Sequence, residues 1–569
     1  MVTLNFNDHV MISIDAETDA INHSENTPKG SSSEHLSPEN EMQNPIDNSF
    51  NAALSFAEAN RRSFRLVELS LENVTYAPAT RAATKTNKNK TINRRTILSN
   101  VSTKISPYQL SAWMGPSGSG KTSLVSVAAG LISDPTNDLL QDSCICINGE
   151  RGSLPKRLIG VVWQDDLLLS NLTVTDTIKF AARLKTSQDQ SDEEVEQLVE
   201  DTISCLGLSQ IKDSLIGDPR SGNGTSRGIS GGERKRVAVA VELVARPSIL
   251  LLDEPTSGLD ATTAYQLMVT LKELAKMGHS IAVVIHQPRT SIFDMFDNLL
   301  LLSQGKVVYE GIPSGARHFL ESCPNVGLLP PETGKADWIM DVISEDENNG
   351  GGALPSLWSE FSLNKKQGQH NPTEHVHPNN QQLRNRHNAA TKSPQLNRRM
   401  SSLAELESEP KFQSGFWTQL KLLTARAARQ QRGERITRVA SLLICCWIAF
   451  TGLAWGHIPD TTDYIFNRSS LLFFIIIAQS NSVVMSSMVA FASERRLLSR
   501  ERAKKMYGVL PYFFAKTLSD MMNSVALPTF YASVVYWICN LRGTASAFFT
   551  FVLTFYLTIS AVSIGWLID

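Results

Sequence analysis

The sequence predicts an α/β fold organised around a phosphate-cradling loop, followed by an all-α segment suited to a lipid bilayer. Three observations carry that reading. The stretch Gly115-Pro116-Ser117-Gly118-Ser119-Gly120-Lys121-Thr122 fits G-x-x-x-x-G-K-[ST], a loop whose backbone N–H groups wrap phosphate oxygens. The apolar run Ile249–Leu252 ends in Asp253-Glu254, shortly after Ile229-Ser230-Gly231-Gly232-Glu233. Beyond Val439, long apolar stretches alternate with short polar loops.

At 569 residues the chain is too long for one ordinary domain. Its formal net charge of −2 argues against a dedicated nucleic-acid binder, so no nucleic-acid partner is expected. The seven cysteines are scattered and suggest no disulfide framework, which fits a mostly cytosolic setting. Cys144 and Cys146 have no second pair nearby in the sequence to complete a metal site and read as small residues on a buried strand. No apolar core follows a basic start at the N-terminus, so no secretory signal is visible.

Residues 1–60 are rich in Asn, Ser, Glu and Asp and read as a disordered leader. Residues 61–345 alternate short apolar runs with turn residues, the pattern of an α/β domain. Within it Ser111-Ala112-Trp113-Met114 is a short strand entering the phosphate loop. Ser123-Leu124-Val125 begins the helix behind it, whose dipole adds to the N–H cradle. Residues 346–412 hold Gly350-Gly351-Gly352, Pro378-Asn379-Asn380 and many Gln, Asn and His, and read as a disordered linker. His370, His375 and His377 belong to that tract rather than to a metal site, and Ser401, behind Arg398-Arg399, suits a basophilic kinase.

The last part, 413–569, opens with Phe416, Trp417, Leu420, Leu423 and Ala427 at helical spacing, interleaved with Lys421, Arg426, Arg429 and Arg432. This predicts a basic amphipathic helix over about 415–432, lying at a membrane surface. Four spans are then expected, at about 437–456, 470–493, 511–539 and 545–568, each near the roughly 20 apolar residues that cross a bilayer. The loop after the second holds Arg495, Arg496, Arg500, Arg502, Lys504 and Lys505, whereas the loop after the first holds Asp460, Asp463 and only Arg468. The positive-inside bias therefore puts the N-terminus and the α/β domain in the cytoplasm. Asn467-Arg468-Ser469 then lies outside, as a glycosylation acceptor close to the membrane.

Phosphoryl transfer needs positioning and charge neutralisation more than covalent chemistry. The loop from Gly115 to Thr122 cradles the phosphates of a nucleoside triphosphate, Lys121 reaches the β- and γ-phosphates, and the Thr122 hydroxyl ligates Mg²⁺. Asp253, at the end of an apolar strand, can hold the metal, and Glu254 is placed to polarise the attacking water.

Together these motifs resemble the nucleotide-binding domain of ATP-binding-cassette (ABC) proteins, which implies a RecA-like core with a helical subdomain. The resemblance also implies roles at matching positions. Gln164, in Val161-Val162-Trp163-Gln164-Asp165-Asp166, corresponds to the glutamine that senses metal and γ-phosphate and signals to the membrane domain. His286, in Val284-Ile285-His286-Gln287-Pro288, corresponds to the switch histidine, Asp260 to the D-loop aspartate, and Ser123 joins the ATP-binding set. Tyr76 corresponds to the aromatic that stacks on adenine, at a distance from the loop enlarged by an insertion around 81–95. Ser230, Gly231, Gly232 and Glu233 form the signature that closes over a partner's ATP, so a dimer, homo- or heteromeric, is implied.

Cassette first and membrane part second, with Ser230-Gly231-Gly232-Glu233-Arg234-Lys235-Arg236, His286-Gln287-Pro288-Arg289 and Ser499-Arg500-Glu501-Arg502, resembles the G subfamily of half-transporters, the White type. Gly334-Lys335-Ala336-Asp337-Trp338 departs from it, since the family usually has Asn-Pro before Ala-Asp. The family has six spans and this sequence predicts four, so the expectation is a truncated reading of a longer gene. The implied function is an ATP-hydrolysing dimeric half-transporter exporting lipid-like or amphipathic molecules. Two alternatives are a soluble ABC ATPase acting on ribosomes or DNA, which the apolar segments oppose, and an ATPase-competent subunit that regulates full-length partners without transporting.

Overall fold

The structure, a computed structural model, describes residues 65–568 apart from 79–93, 133–138, 140–141, 153–154, 187–189, 218–227, 367–411, 432–437, 460, 522–524 and 526. The expected leader, the histidine tract, Ser401 and nearly all of the insertion around 81–95 lie outside the described residues. In chain order the first elements are β1 (Leu69–Tyr76), β2 (Leu98–Ile105), β3 (Leu110–Met114), α1 (Lys121–Ala128), β4 (Cys144–Ile147), β5 (Glu150–Arg151) and β6 (Ile159–Val162). There follow α2 (Val174–Lys185), α3 (Asp192–Cys205), α4 (Gly231–Leu243), β7 (Ile249–Asp253), α5 (Ala261–Lys276), β8 (Ser280–Val284), α6 (Thr290–Phe293), β9 (Asn298–Ser303) and β10 (Lys306–Gly311). Helices α7 (Pro313–Glu321), α8 (Lys335–Asn348) and α9 (Ala353–Lys366) complete the first part.

Two sheets organise it. A six-stranded sheet has the order β10-β9-β3-β8-β7-β6, parallel from β9 to β6, and a four-stranded antiparallel sheet has the order β2-β1-β4-β5. Every residue of β3, β6, β7 and β8 is buried. Parallel strands covered on both faces need continuous apolar runs, and Ile249-Leu250-Leu251-Leu252 supplies one. One core packs α2–α5 against one face of the large sheet. A second core, including Leu69, Val101, Trp113, Leu124 and Leu251, fills the space between the two sheets and α1.

Helix ends follow local chemistry. Ser191 with Glu194, and Ser230 with Glu233, form capping boxes that satisfy first-turn N–H groups of α3 and α4. Thr173 and Asp260 cap α2 and α5 through the N–H groups of Asp176 and Thr263. Helix α1 starts at Lys121, two residues earlier than expected, because Gly120 adopts a left-handed φ of 97° and turns the chain straight into the helix.

His279, between α5 and β8, is buried, and its Nδ1 lies 2.7 Å from the Pro247 carbonyl, to which it donates. Burial pushes its pKa down from 6.5 to about 4. As pH falls the unfolded chain takes up the proton first, so stability present above pH 6.5 is lost toward pH 4. That loss is on the order of 3 kcal/mol. A His279→Asn variant keeps a donor without the titration, and its thermal unfolding should vary less with pH across that window.

The expected linker begins too early at 346. Helices α8 and α9 carry ordered structure to Lys366, with Gly350-Gly351-Gly352 turning between them at positive φ. Trp358 of α9 packs its ring against Tyr309 and Phe319, at centroid distances of 4.9 and 5.1 Å. Those aromatic contacts outweigh the polar composition that suggested a linker.

The remaining helices are α10 (Phe416–Gln431), α11 (Arg438–Trp455), α12 (Ile465–Ala503), α13 (Val509–Met521), α14 (Leu527–Ile538) and α15 (Ala545–Ile568). Helix α10 matches the expected amphipathic helix in extent but packs on protein. Leu423 joins Leu184 of α2 with Met506, Tyr507 and Ala515, and Arg426 and Arg429 pair with Glu501 and Asp176. The third expected span takes in the described helices α13 and α14; residues 522–524 and 526, between them, lie outside the described residues. A separate core of Leu471, Ile475, Tyr531, Val535 and Phe555 joins α12, α14 and α15. Among the described residues, no helix is long and apolar enough to cross a membrane.

Candidate functional site

Residues spread from 115 to 286 meet because β3, β8, β7 and β6 are neighbouring parallel strands whose C-terminal ends share one edge of the sheet. Open α/β sheets bind ligands at that edge. Strand β3 runs into the phosphate loop, β8 leads to His286, β7 ends in Asp253 with Glu254 next, and β6 leads to Gln164.

The loop needs glycine where it is tightest. A Cβ on Gly115 would stand 2.1 Å from the Leu302 carbonyl oxygen, and one on Gly120 would stand 2.7 Å from Leu98 Cδ2. Ser117, Gly118 and Thr122 are exposed at the rim, while Ser119 is buried and Pro116 and Ser123 are half-buried. Lys121 is only 7% exposed, and its Nζ donates to the carbonyls of Gly115 at 2.8 Å and Pro116 at 2.7 Å. The ammonium is thus held inside the loop. Burial lowers its pKa, with Glu254 and Asp253 opposing.

Asp253 is buried at the end of β7, where burial raises its carboxyl against the pull of the Thr122 hydroxyl and the Lys121 ammonium. Glu254 is half-buried, holds a left-handed φ of 48° and hangs its backbone N–H on Val284 of β8 at 3.0 Å. Its Oε2 accepts from Gln164 Nε2 at 2.9 Å. The sequence-predicted base and sensor are therefore in direct contact. Exposed His286 follows Ile285, whose N–H donates to the Trp113 carbonyl of β3 at 3.2 Å. Tyr76 pairs with Leu98, the residue that abuts Gly120, so the end of β1 borders the phosphate loop.

The signature residues lie elsewhere. Ser230 and Gly231 are exposed at the N-terminus of α4, and the hydrogen bonds of Ser230 and Glu233 go to each other, at 2.8 and 3.3 Å. A Cβ on Gly232 would meet Thr263 Cγ2 at 2.7 Å, which puts this turn beside the N-terminus of α5 and its cap, Asp260.

Sequence reasoning named Lys235 and Arg500 only within motifs resembling the family's signature and cytoplasmic coupling segment, and did not place either against the Gln164 loop. Lys235 Nζ donates to the carbonyls of Gln164 at 2.8 Å and Trp163 at 3.2 Å, and pairs with Asp166 at 2.8 Å. From the other side Arg500 at the end of α12 donates to the Asp165 carbonyl at 2.7 Å, and its guanidinium sits 5.6 Å over the Trp163 ring. Lys504, just past α12, donates to the Val161 carbonyl and to Glu242, both at 2.7 Å. Glu242 also pairs with Lys185 at 3.1 Å. Burial works to raise its carboxyl, but the two ammoniums outweigh that and hold it below the usual carboxylate range. The basic loop gave a charge signal in the sequence; its target did not.

Residues 98–257 match the ABC transporter family and residues 418–568 match the ABC-2 type transporter family. ABC transporter G family member 14 of Arabidopsis thaliana is 32% identical over 80% of this chain and 67% of its own length. Member 21 of the same plant is 30% identical over 89% of this chain and 74% of its own. The chain belongs to the ABC transporter G family. Another member, the broad substrate specificity ATP-binding cassette transporter of Mus musculus, is 33% identical over 82% of this chain and 70% of its own length. As a G-family half-transporter, the chain couples ATP hydrolysis to membrane transport.

Proposed function

We propose that the chain works as a dimer in which ATP is held between the phosphate loop of one copy and the Ser230–Glu233 turn of another. Exposure of Ser230 and Gly231 at the N-terminus of α4 supports this, because the first-turn N–H groups of Gly231 and Gly232, which the capping box does not use, suit an anion brought by a partner. Lys121 neutralises phosphate charge, Glu254 orients and polarises the attacking water, His286 contacts the γ-phosphate, and Tyr76 stacks on the base. Asp260 keeps the D-loop turn in shape. Thr122, Gln164 and Asp253 offer oxygen donors at one strand edge, a set that fits Mg²⁺. The metal, when bound, supplies charge neutralisation at the β- and γ-phosphates.

The single observation that carries the coupling is the Gln164 loop. Its side chain bonds the proposed base, and its backbone bonds Arg500 at the end of α12. A shift of that loop on hydrolysis would therefore pull on α12. Helices α11 to α15 serve as the membrane-embedded part, with the cassette on the cytoplasmic side. Leu453, Phe466, Phe473, Phe549 and Leu553, each at least 62% exposed, support this, since such apolar surface is stable against lipid and costly in water. The same surface suits a hydrophobic or amphipathic substrate. The test is the full chain in lipid vesicles with a fluorescent lipid-like probe. Probe movement that requires ATP supports the reading; ATP hydrolysis with no movement of any probe favours the regulatory subunit instead.

A further inference from the structure

Cys144 and Cys146 alternate along β4, so both thiols project from the same face of the four-stranded sheet. Their Sγ atoms lie 3.2 Å apart, and both cysteines are free. Glu72 stands directly opposite Cys144 in the antiparallel register of β1 and β4. One donor atom from each of the three lies within 4.8 Å of the others. This partner has no local signature, because the carboxylate arrives from a strand 72 residues upstream of Cys144.

We propose that Cys144, Cys146 and Glu72 bind a thiophilic closed-shell cation of the Zn²⁺ type, in a site separate from the nucleotide edge. Two sulfurs and one carboxylate are the donors such a cation takes, and they disfavour Mg²⁺ and Ca²⁺, which want oxygen alone. Cys146 is buried, Cys144 half-buried and Glu72 exposed, so the ion is reached from the solvent side and keeps a fourth position for water. Arg151, opposite Cys146 in the pairing of β4 with β5, brings a positive charge next to a site whose two thiolates and carboxylate exceed a dication by one negative charge. The bound ion clasps β1 to β4, the pair that carries Tyr76 at the end of β1.

The test uses the purified full chain under reductant, with Cys445→Ser and Cys446→Ser to remove the two exposed cysteines. Cd²⁺ is the probe, because a sulfur-to-metal absorption band reports thiolate ligation. The parent should show the band and bind one ion through it per chain. Cys144→Ser and Cys146→Ser should each lose the band while still binding a fluorescent ATP analogue, which shows that the cassette is folded. Glu72→Gln should keep the band but release the ion to a competing chelator about tenfold more readily. A parent without the band, or a band unchanged in Cys144→Ser and Cys146→Ser, overturns the proposal.

Discussion

Glu254→Gln should cut ATP turnover by the purified full chain about 10²–10⁴-fold, the contribution of a positioned base, while ATP binding stays intact. The amide keeps the shape of the side chain and can still bond Gln164, whose Nε2 lies 2.9 Å from the carboxylate. What disappears is the negative charge proposed to polarise water. Lys121→Ala should lose both turnover and binding. Its ammonium is buried in the loop, and no other cation is hydrogen-bonded to the Gly115 and Pro116 carbonyls among the described residues. Losing the proposed charge-assisted bond from that ammonium to a phosphate would cost about 1.5–3 kcal/mol, so affinity should fall at least about tenfold. Phosphate release and binding of a fluorescent ATP analogue separate the two variants. Near-normal hydrolysis in either one would contradict the assignments.

The second large effect is expected at Arg426→Ala. The guanidinium of Arg426 reaches from α10 to both oxygens of Glu501 on α12, at 2.7 and 2.9 Å, with both side chains nearly buried. Tyr507 donates to the same carboxylate, and the Arg426 guanidinium sits 5.7 Å over its ring. Alanine leaves Glu501 buried without its cation, which costs about 3–5 kcal/mol. Arg426→Lys should recover only part of that, because an ammonium cannot present the two-pronged face a carboxylate matches. Thermal unfolding of the full chain should show a large drop for alanine and a smaller one for lysine. Equal, small effects would mean that the pair is solvated and carries little.

Much of the cassette was legible because its chemistry is local. The glycines of the phosphate loop, the Asp253-Glu254 strand end and the Ser230-Gly231-Gly232-Glu233 stretch each declare themselves within a few residues. Parallel strands then deliver Gln164 and His286 to the same edge without further instruction. The linker boundary was misread because Gly350-Gly351-Gly352 looks like a break, whereas Trp358 beyond it completes an aromatic cluster with Tyr309 and Phe319, far earlier in the chain. The acceptor that the Arg500 segment grips was invisible for a related reason. Arg500 and Asp165 are 335 residues apart, and a carbonyl acceptor has no signature in a sequence. Helix α10 shows the limit of periodicity: its basic stripe reads as membrane-seeking, yet Arg426 and Arg429 satisfy Glu501 and Asp176.

The central claim is that the Gln164 loop ties the nucleotide edge to the end of α12. Amide hydrogen exchange on the full-length Glu254→Gln chain, with and without ATP, tests it most directly. ATP should change exchange in the segment around Val161–Asp166 and, in the same experiment, around Leu498–Met506. A change confined to the first segment, with the second untouched, would contradict the coupling.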